Sequence, residues 1–121
     1  MLNVSKTTLM RSCDKNMTEK IGIPDAVLME NAANAVAQSI KKHTAGRKNG
    51  IRVFILIGPG NNGGDGLALL RILTAEGYNA EGILLFEPIQ NKKDEQSAAL
   101  PRSSAELNYQ IAINLGLPLS N

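Results

Sequence analysis

The feature that most constrains this chain is a glycine-rich segment that directly follows an apolar run. The run, residues 51–57, is interrupted only by Arg52, and Gly58 to Gly66 then holds five glycines in nine residues. A continuous apolar run of this kind is typical of a strand buried on both faces of a parallel sheet. From Asp65 the pattern becomes helical. The glycines therefore lie at a strand-to-helix corner, where open α/β sheets bind ligands.

The residues after the glycines predict a helix and then a second strand. The helix is expected to end at Gly77 and to turn four apolar side chains inward: Leu67, Leu70, Ile72 and Leu73. Residues 80–86 form the next apolar run. Strand, helix and strand within about 35 residues form a βαβ unit, whose crossover is right-handed in nearly all proteins. The sequence therefore predicts an α/β fold with a largely parallel sheet.

Three further helices are predicted from apolar spacing and end signals. The first covers residues 5–20, ends at Gly22, and shares one face among Leu9, Cys13, Met17 and Ile21. The second begins at Pro24 and carries an apolar stripe of Leu28, Ala32, Ala35, Val36 and Ile40. The last spans residues 103–115, with a capping pair of Ser103 or Ser104 and Glu106, and a stop at Gly116. Residues 89–102 are polar and predict an exposed loop.

The number of strands is too small for the number of helices. Two strands make a marginal sheet, whereas four helices need a larger one to cover. The sequence ends at Asn121, directly after a helix, where the next strand of an alternating pattern is expected. We therefore expect that the domain is truncated after the second strand and the following helix, or that another chain supplies the missing strands.

Charge and aromatic content exclude a nucleic-acid partner. The 13 Lys and Arg and the 11 Asp and Glu leave a net charge of +2, and the chain has two Phe, two Tyr and no Trp. Such a chain lacks both a strong basic surplus and a stacking platform for single strands. The basic stretch from Lys41 to Arg52 is expected to be a solvated helix end and loop, with a phosphate-binding patch as the alternative.

The sequence also lacks membrane, secretory and zinc-binding signals. Its longest apolar run, Val53–Ile57, has five residues, and the first twenty residues carry several charges. We expect no membrane partner and a cytoplasmic location, or a mitochondrial one if the source is eukaryotic. Cys13 and His43 are the only residues of their types, so neither an internal disulfide nor a zinc site nor a Ser/His/Asp set is available.

The chemistry of the glycine segment suits a nucleotide. Free N–H groups at a helix N-terminus favour anionic oxygens, and Asn61, Asn62 and Asp65 offer oxygen ligands for a cation or for ribose hydroxyls. The spacing also matches G-x-G-x-x-G, with Glu87 where a ribose-binding acid would lie, but Pro59 and Asp65 are unusual in such a site. No Lys follows the glycines, so the Walker pattern is absent. The alternative is that the Asn residues only form a turn and Asp65 caps the helix.

The segment Gly58–Gly66, read GPGNNGGDG, resembles the signature of the NAD(P)HX epimerase family, also called YjeF N-terminal. Residues 22–32, Asp14 and residues 104–117 are similar to other parts of that family. The resemblance implies a Rossmann-like three-layer αβα domain that epimerises the R and S forms of hydrated NADH or NADPH. It also implies a set of substrate-binding residues, with Asn62 in addition holding a potassium ion: Asn61, Asn62, Gly63, Gly64 and Asp65.

One family motif has no counterpart in this sequence. The family carries an aspartate-bearing strand end of the form DALFGTG, which supplies the proposed acid/base aspartate and further potassium ligands. No catalytic residue is therefore assigned, and residues 1–121 are expected to bind nucleotide weakly and not to epimerise it. Two alternatives stay open: a plain NAD-binding module that uses Glu87, and a non-catalytic protein-interaction domain.

The sequence and the family resemblance also indicate roles for a few further residues and possible protein partners. Glu30 and Asn31 lie on a helix that is predicted to pack near the glycines, so they either orient that segment or form a solvated face. His43 is expected at a helix end, where its charge interacts favourably with the dipole. The resemblance is compatible with a homodimer and with a fused or separate dehydratase.

Overall fold

The computed structural model describes residues 15–87 and 103–121. Two short elements lie near the ends of the described chain: α1, a single π-helical turn at Met17–Ile21, and β3 at Leu119–Ser120. Between them the structure contains three longer helices and two strands, in the order α2 (Asp25–His43), β1 (Arg52–Ile57), α3 (Asn61–Ala75), β2 (Asn79–Leu84) and α4 (Ser104–Asn114).

The three strands form one parallel sheet in the order β1-β2-β3. Arg52 pairs with Asn79 and Ile57 with Leu84, so β1 and β2 are in register along their whole length. Gly82 pairs with Leu119 of β3. The predictions of an α/β class and a parallel sheet are confirmed. β3 begins at Leu119, where the sequence pattern expects the next strand of the alternation.

The core lies between the sheet and α3. All four residues predicted to face inward from α3 are buried: Leu67, Leu70, Ile72 and Leu73. The largest fully buried side chains are Ile57 of β1 and Leu70 and Leu73 of α3. Helices α2 and α4 both pack against α3, so α3 is the central element of the described residues.

Strand β1 is buried on only one face, and the prediction of burial on both faces is wrong for the described residues. Ile55 and Ile57 are buried, whereas Phe54 is 53% and Leu56 66% exposed. Successive side chains of a strand point to opposite faces, so within residues 15–87 and 103–121 the face that carries Phe54 and Leu56 is the exposed one.

The buried face of α2 differs from the predicted stripe. Met29, Ala33 and Ala37 are buried, whereas three predicted core residues are exposed: Ala32, Ala35 and Val36. Leu28 and Ile40, which were also predicted to belong to the apolar stripe, are only partly buried. Four alanines at positions 32, 33, 35 and 37 leave the phase of the apolar pattern ambiguous, and the small side chains at 33 and 37 are the ones that let α3 approach closely.

The helix ends agree with the sequence signals. Gly22, Gly77 and Gly116 follow their helices with positive φ, and the Ser103 hydroxyl accepts a hydrogen bond from the Glu106 N–H at 3.1 Å. The start of the first predicted helix, with Leu9, Cys13 and Asp14, lies outside the described residues, as do residues 89–102. None of the helices within the described ranges combines the length and the apolar character needed to cross a membrane.

Candidate functional site

The chain turns sharply at the end of β1. Ile57 is fully buried, residues 58–60 form the turn, and α3 begins at Asn61. The prediction that the helix starts at Asp65 is therefore wrong by four residues. Glycine is a poor helix former, so a first turn that contains Gly63 and Gly64 does not show a helical pattern in the sequence. Three of the nine residues form the turn, and the other six form the start of α3.

Gly60 creates the corner between the turn and the helix. Its φ of 91° and ψ of −162° lie in a region that essentially only glycine adopts. As the residue before α3 it offers no side chain to cap the helix, and no side-chain cap hydrogen bond is made there. The first N–H groups of α3 have no carbonyl partners one turn earlier, so they form a positively polarised end directly beside the sheet edge.

The next glycines hold the start of α3 against the protein. A Cβ on Gly63 would overlap the carbonyl oxygen of Gly58. A Cβ on Gly64 would lie 2.6 Å from the Met29 sulfur and 2.8 Å from the Ala105 Cα. Both residues are buried, so the absence of a side chain serves packing, and the Gly64 N–H donates to the Gly60 carbonyl at 3.3 Å.

The five predicted substrate-binding residues lie together at the start of α3. Asn61 and Asn62 are exposed, Gly63 and Gly64 are buried, and Asp65 is partly buried and engaged in an interaction within the protein. The structure therefore places two amide side chains and one helix N-terminus at the same sheet edge. Their roles in binding stay predictions.

The neighbouring strand ends at the same edge. The Leu85 N–H, directly after β2, donates to the Ile57 carbonyl at 2.9 Å. Glu87 follows two residues later and is exposed, as the alternative of a ribose-binding acid requires. The carboxyl ends of β1 and β2 thus form one rim, at which the turn and Glu87 both lie.

Of the two polar residues of α2, Asn31 agrees with the predicted solvated face, whereas Glu30 forms an ion pair. The Glu30 carboxylate forms an ion pair with the Arg71 guanidinium and so connects α2 to α3. Asn31 is exposed. Neither residue is shown in contact with the glycines, and Met29 is the α2 residue that contacts them.

Asn108 is a buried polar residue that the sequence pattern did not single out as part of the site. Its side chain is 6% exposed, and its Nδ2 lies 3.2 Å from the Met29 sulfur. The contact joins residues 79 positions apart. The only feature of the sequence that indicates its burial is the spacing of four residues between Asn108 and Ala112, which lies on the buried face of α4.

The donors at the turn suit a hard cation rather than a transition metal. In the described ranges no three His, Cys, Asp or Glu residues come close enough to hold a metal. The oxygen groups near the turn are the side-chain amides of Asn61 and Asn62, the Asp65 carboxylate and backbone carbonyls. Oxygens of these types are ligands for alkali and alkaline-earth cations.

Comparison with known proteins identifies a family whose matched region includes the turn between β1 and α3. Residues 25–114 match the family model described as YjeF-related protein N-terminus. The NAD(P)H-hydrate epimerase of Limosilactobacillus fermentum is 43% identical over 90 residues, which are 74% of this chain and 42% of the relative. The Bifunctional NAD(P)H-hydrate repair enzyme Nnr of Moorella thermoacetica is 38% identical over 73% of this chain and 17% of its own length.

A solved structure has the same arrangement of elements. The crystal structure of the yeast protein ynu0 superposes with a TM-score of 0.68 at 30% identity, over 94% of this chain and 45% of the yeast chain. The chain thus spans less than half the length of each of these relatives. The family match covers the second helix, the glycine turn and α4 in one continuous stretch, and the chain belongs to the YjeF-related N-terminal family.

Proposed function

We propose that this chain binds hydrated NADH or NADPH at the turn between β1 and α3, as part of nicotinamide nucleotide repair. The observation that carries the proposal is the uncapped N-terminus of α3 at the sheet edge, with exposed Asn61 and Asn62 beside it. The similarity to proteins named NAD(P)H-hydrate epimerase supports the choice of ligand.

Each group at the turn has a distinct part in this proposal. The N–H groups of Asn61, Asn62 and Gly63, which precede the first hydrogen bond of α3 from Gly64 to the Gly60 carbonyl, bind phosphate oxygens, because the helix dipole favours negative charge there. The amides of Asn61 and Asn62 can both donate to and accept from the nucleotide. The Asp65 carboxylate would repel a diphosphate, so we place it toward a ribose hydroxyl or a cation.

A potassium ion fits the donor type of Asn62 and would supply positive charge beside the phosphates. The Asn62 amide is exposed at the rim, but the described residues offer few other side-chain oxygens there. We therefore propose that Asn62 contributes one ligand, and that backbone carbonyls and water contribute others.

Binding without turnover is the expected activity of the 121 residues. Epimerisation at the hydrated carbon needs a group that accepts and returns a proton, and the turn offers amides, backbone N–H groups and one carboxylate that is already engaged. A dehydratase, fused or separate, would consume the product, as the name of the bifunctional Moorella relative suggests.

A ligand titration tests the proposal. The chain is titrated with NADPH hydrate, NADPH and ADP-ribose, in potassium chloride and in tetramethylammonium chloride, while epimer exchange is followed by chromatography. We expect saturable binding of the hydrate that potassium strengthens. Asn62→Ala should weaken binding about tenfold or more without loss of stability, because Asn62 is exposed, whereas Asn34→Ala on the exposed side of α2 should bind normally.

The outcomes separate the alternatives. Tight binding of intact NADPH that is indifferent to potassium and lost in Glu87→Ala would favour the plain NAD-binding module. Absence of binding by every nucleotide would favour the protein-interaction domain. Epimer exchange at an enzymatic rate would contradict the expectation of binding without turnover.

A further inference from the structure

Three helices meet at Gly64. The Met29 side chain of α2 and the backbone of Ala105 in α4 both lie within 3 Å of the point where a Cβ of Gly64 would be. This contact holds the first turn of α3, which also carries the exposed Asn61 and Asn62. A change in the Met29 position would therefore leave the start of α3 with space to move.

Met29 is a flexible side chain in a position that requires rigidity. Methionine has three rotatable side-chain bonds and fills irregular gaps, so packing alone specifies its conformation poorly. Its sulfur and its methyl group are both part of the contact with Gly64, at 2.6 and 2.7 Å from the Cβ position. A second group is needed to select one rotamer.

Asn108 supplies that group. Among the described residues it is the one buried polar or charged side chain. Its Nδ2 donates to the Ser104 carbonyl at 3.0 Å and lies 3.2 Å from the Met29 sulfur, so the two N–H bonds of one amide have two acceptors. A buried amide is costly when unpaired, which favours the arrangement in which both are engaged.

We propose that Asn108 is a positioning residue that acts through the Met29 sulfur on Gly64, and so holds the first turn of α3 in the orientation that binds nucleotide. The part that concerns the ligand rests on the function proposed above. The part that concerns the helix does not, because the three-helix contact exists in the free protein.

A double-mutant cycle tests this inference on the 121-residue chain. Asn108→Leu and Met29→Leu each introduce a leucine of similar size, and they remove the amide donor and the sulfur acceptor, respectively. The readouts are the hydrogen-exchange rate of the Gly64 amide relative to that of Leu73 in the same helix, and the dissociation constant for ADP-ribose. Each single variant should raise the exchange ratio and the dissociation constant about fivefold, and the double variant should show no further increase.

A control on the same helix separates positioning from general stability. Ala112→Gly, at a buried position one turn beyond Asn108, should lower the melting temperature while leaving the exchange ratio unchanged. An unchanged ratio in Asn108→Leu, or additive effects in the double variant, would overturn the proposal. If the wild-type chain fails to bind ADP-ribose, the proposed function fails, and the exchange cycle still decides whether Asn108 positions the helix.

Discussion

Gly63 illustrates how a single atom determines the start of α3. Its backbone lies so close to the Gly58 carbonyl that a methyl group would overlap the oxygen. We predict that Gly63→Ala lowers the free energy of unfolding by about 1–3 kcal/mol, because either the turn or the helix must shift. Thermal and urea unfolding of the purified variant measure this change.

Gly58 is the matched control for that substitution. A Cβ there meets no atom within 4 Å, and its φ is outside the left-handed region. Gly58→Ala should change the free energy of unfolding by less than about 0.5 kcal/mol. Equal losses in the two variants would contradict the close contact between the turn and the first turn of α3.

The residues of the site differ in how visible they are in the sequence. Asn61, Asn62 and Asp65 could be selected because they lie in a glycine-rich strand-to-helix segment that resembles the signature of a known family. Met29 and Asn108 could not, because their contact is between helices and spans 79 positions. An isolated Asn on an amphipathic helix is usually solvated, so its burial is a property of the tertiary structure.

On the scale of helix α2, the buried face is defined by Ala33 rather than by the neighbouring Ala32. Ala33 is 1% exposed against α3, whereas Ala32 is exposed. We predict that Ala33→Leu lowers the free energy of unfolding by about 1–3 kcal/mol through overpacking, and that Ala32→Leu changes it by less than about 0.5 kcal/mol. Urea unfolding of the two variants checks the prediction. A larger loss of stability in Ala32→Leu than in Ala33→Leu would instead favour the buried stripe that was predicted from the sequence.

Strand β1 provides a second matched pair. Ile57 is fully buried and Leu56 is 66% exposed. Thr keeps a high strand preference but places a hydroxyl at either position, so Ile57→Thr should cost about 1–3 kcal/mol, and Leu56→Thr about 0.5 kcal/mol or less. The melting temperatures of the two variants, compared with that of the wild-type chain, measure the two losses of stability. Similar losses at both positions would show that the second face of β1 is covered.

The elements themselves were largely predictable, and their exact limits were not. The β-branched run and the glycine stops specified β1, β2 and the ends of the helices, because these signals are local. The start of α3 was not predictable, because its glycines do not show a helical pattern, whereas β3 lies where the alternating pattern expects the next strand. The phase of α2 required knowledge of which neighbour it packs on, since its alanines are compatible with more than one face.

At the scale of the whole molecule, parallel strands bring the functional groups to one rim. Both crossovers, through α3 and α4, return the chain to the same end of the sheet. The Glu30–Arg71 and Lys41–Glu76 ion pairs connect α2 to α3 along its length, the second with an N–O distance of 2.7 Å. The start of α3 thus contacts α2 and α4 at Gly64 and the end of β1 at Gly63, and such support would preorganise the proposed binding site.

For the molecule as a whole, the family is established by the match, whereas the function is a proposal. The topology and the 90 matched residues establish the family. The activity of a whole relative depends on a longer chain, of which these residues correspond to less than half. The central claim therefore concerns binding at one rim, which the 121 residues can be tested for directly.

The most direct test is to map the binding of ADP-ribose by the amide chemical shifts of the isotope-labelled chain in potassium chloride. We predict that the largest changes fall on residues 58–65, with Asn62 and Gly64 among them, and that Asn62→Ala abolishes them while the rest of the spectrum is retained. Changes concentrated at the opposite end of the sheet, near Lys41 and Lys48, or none at saturating ligand, would contradict the account.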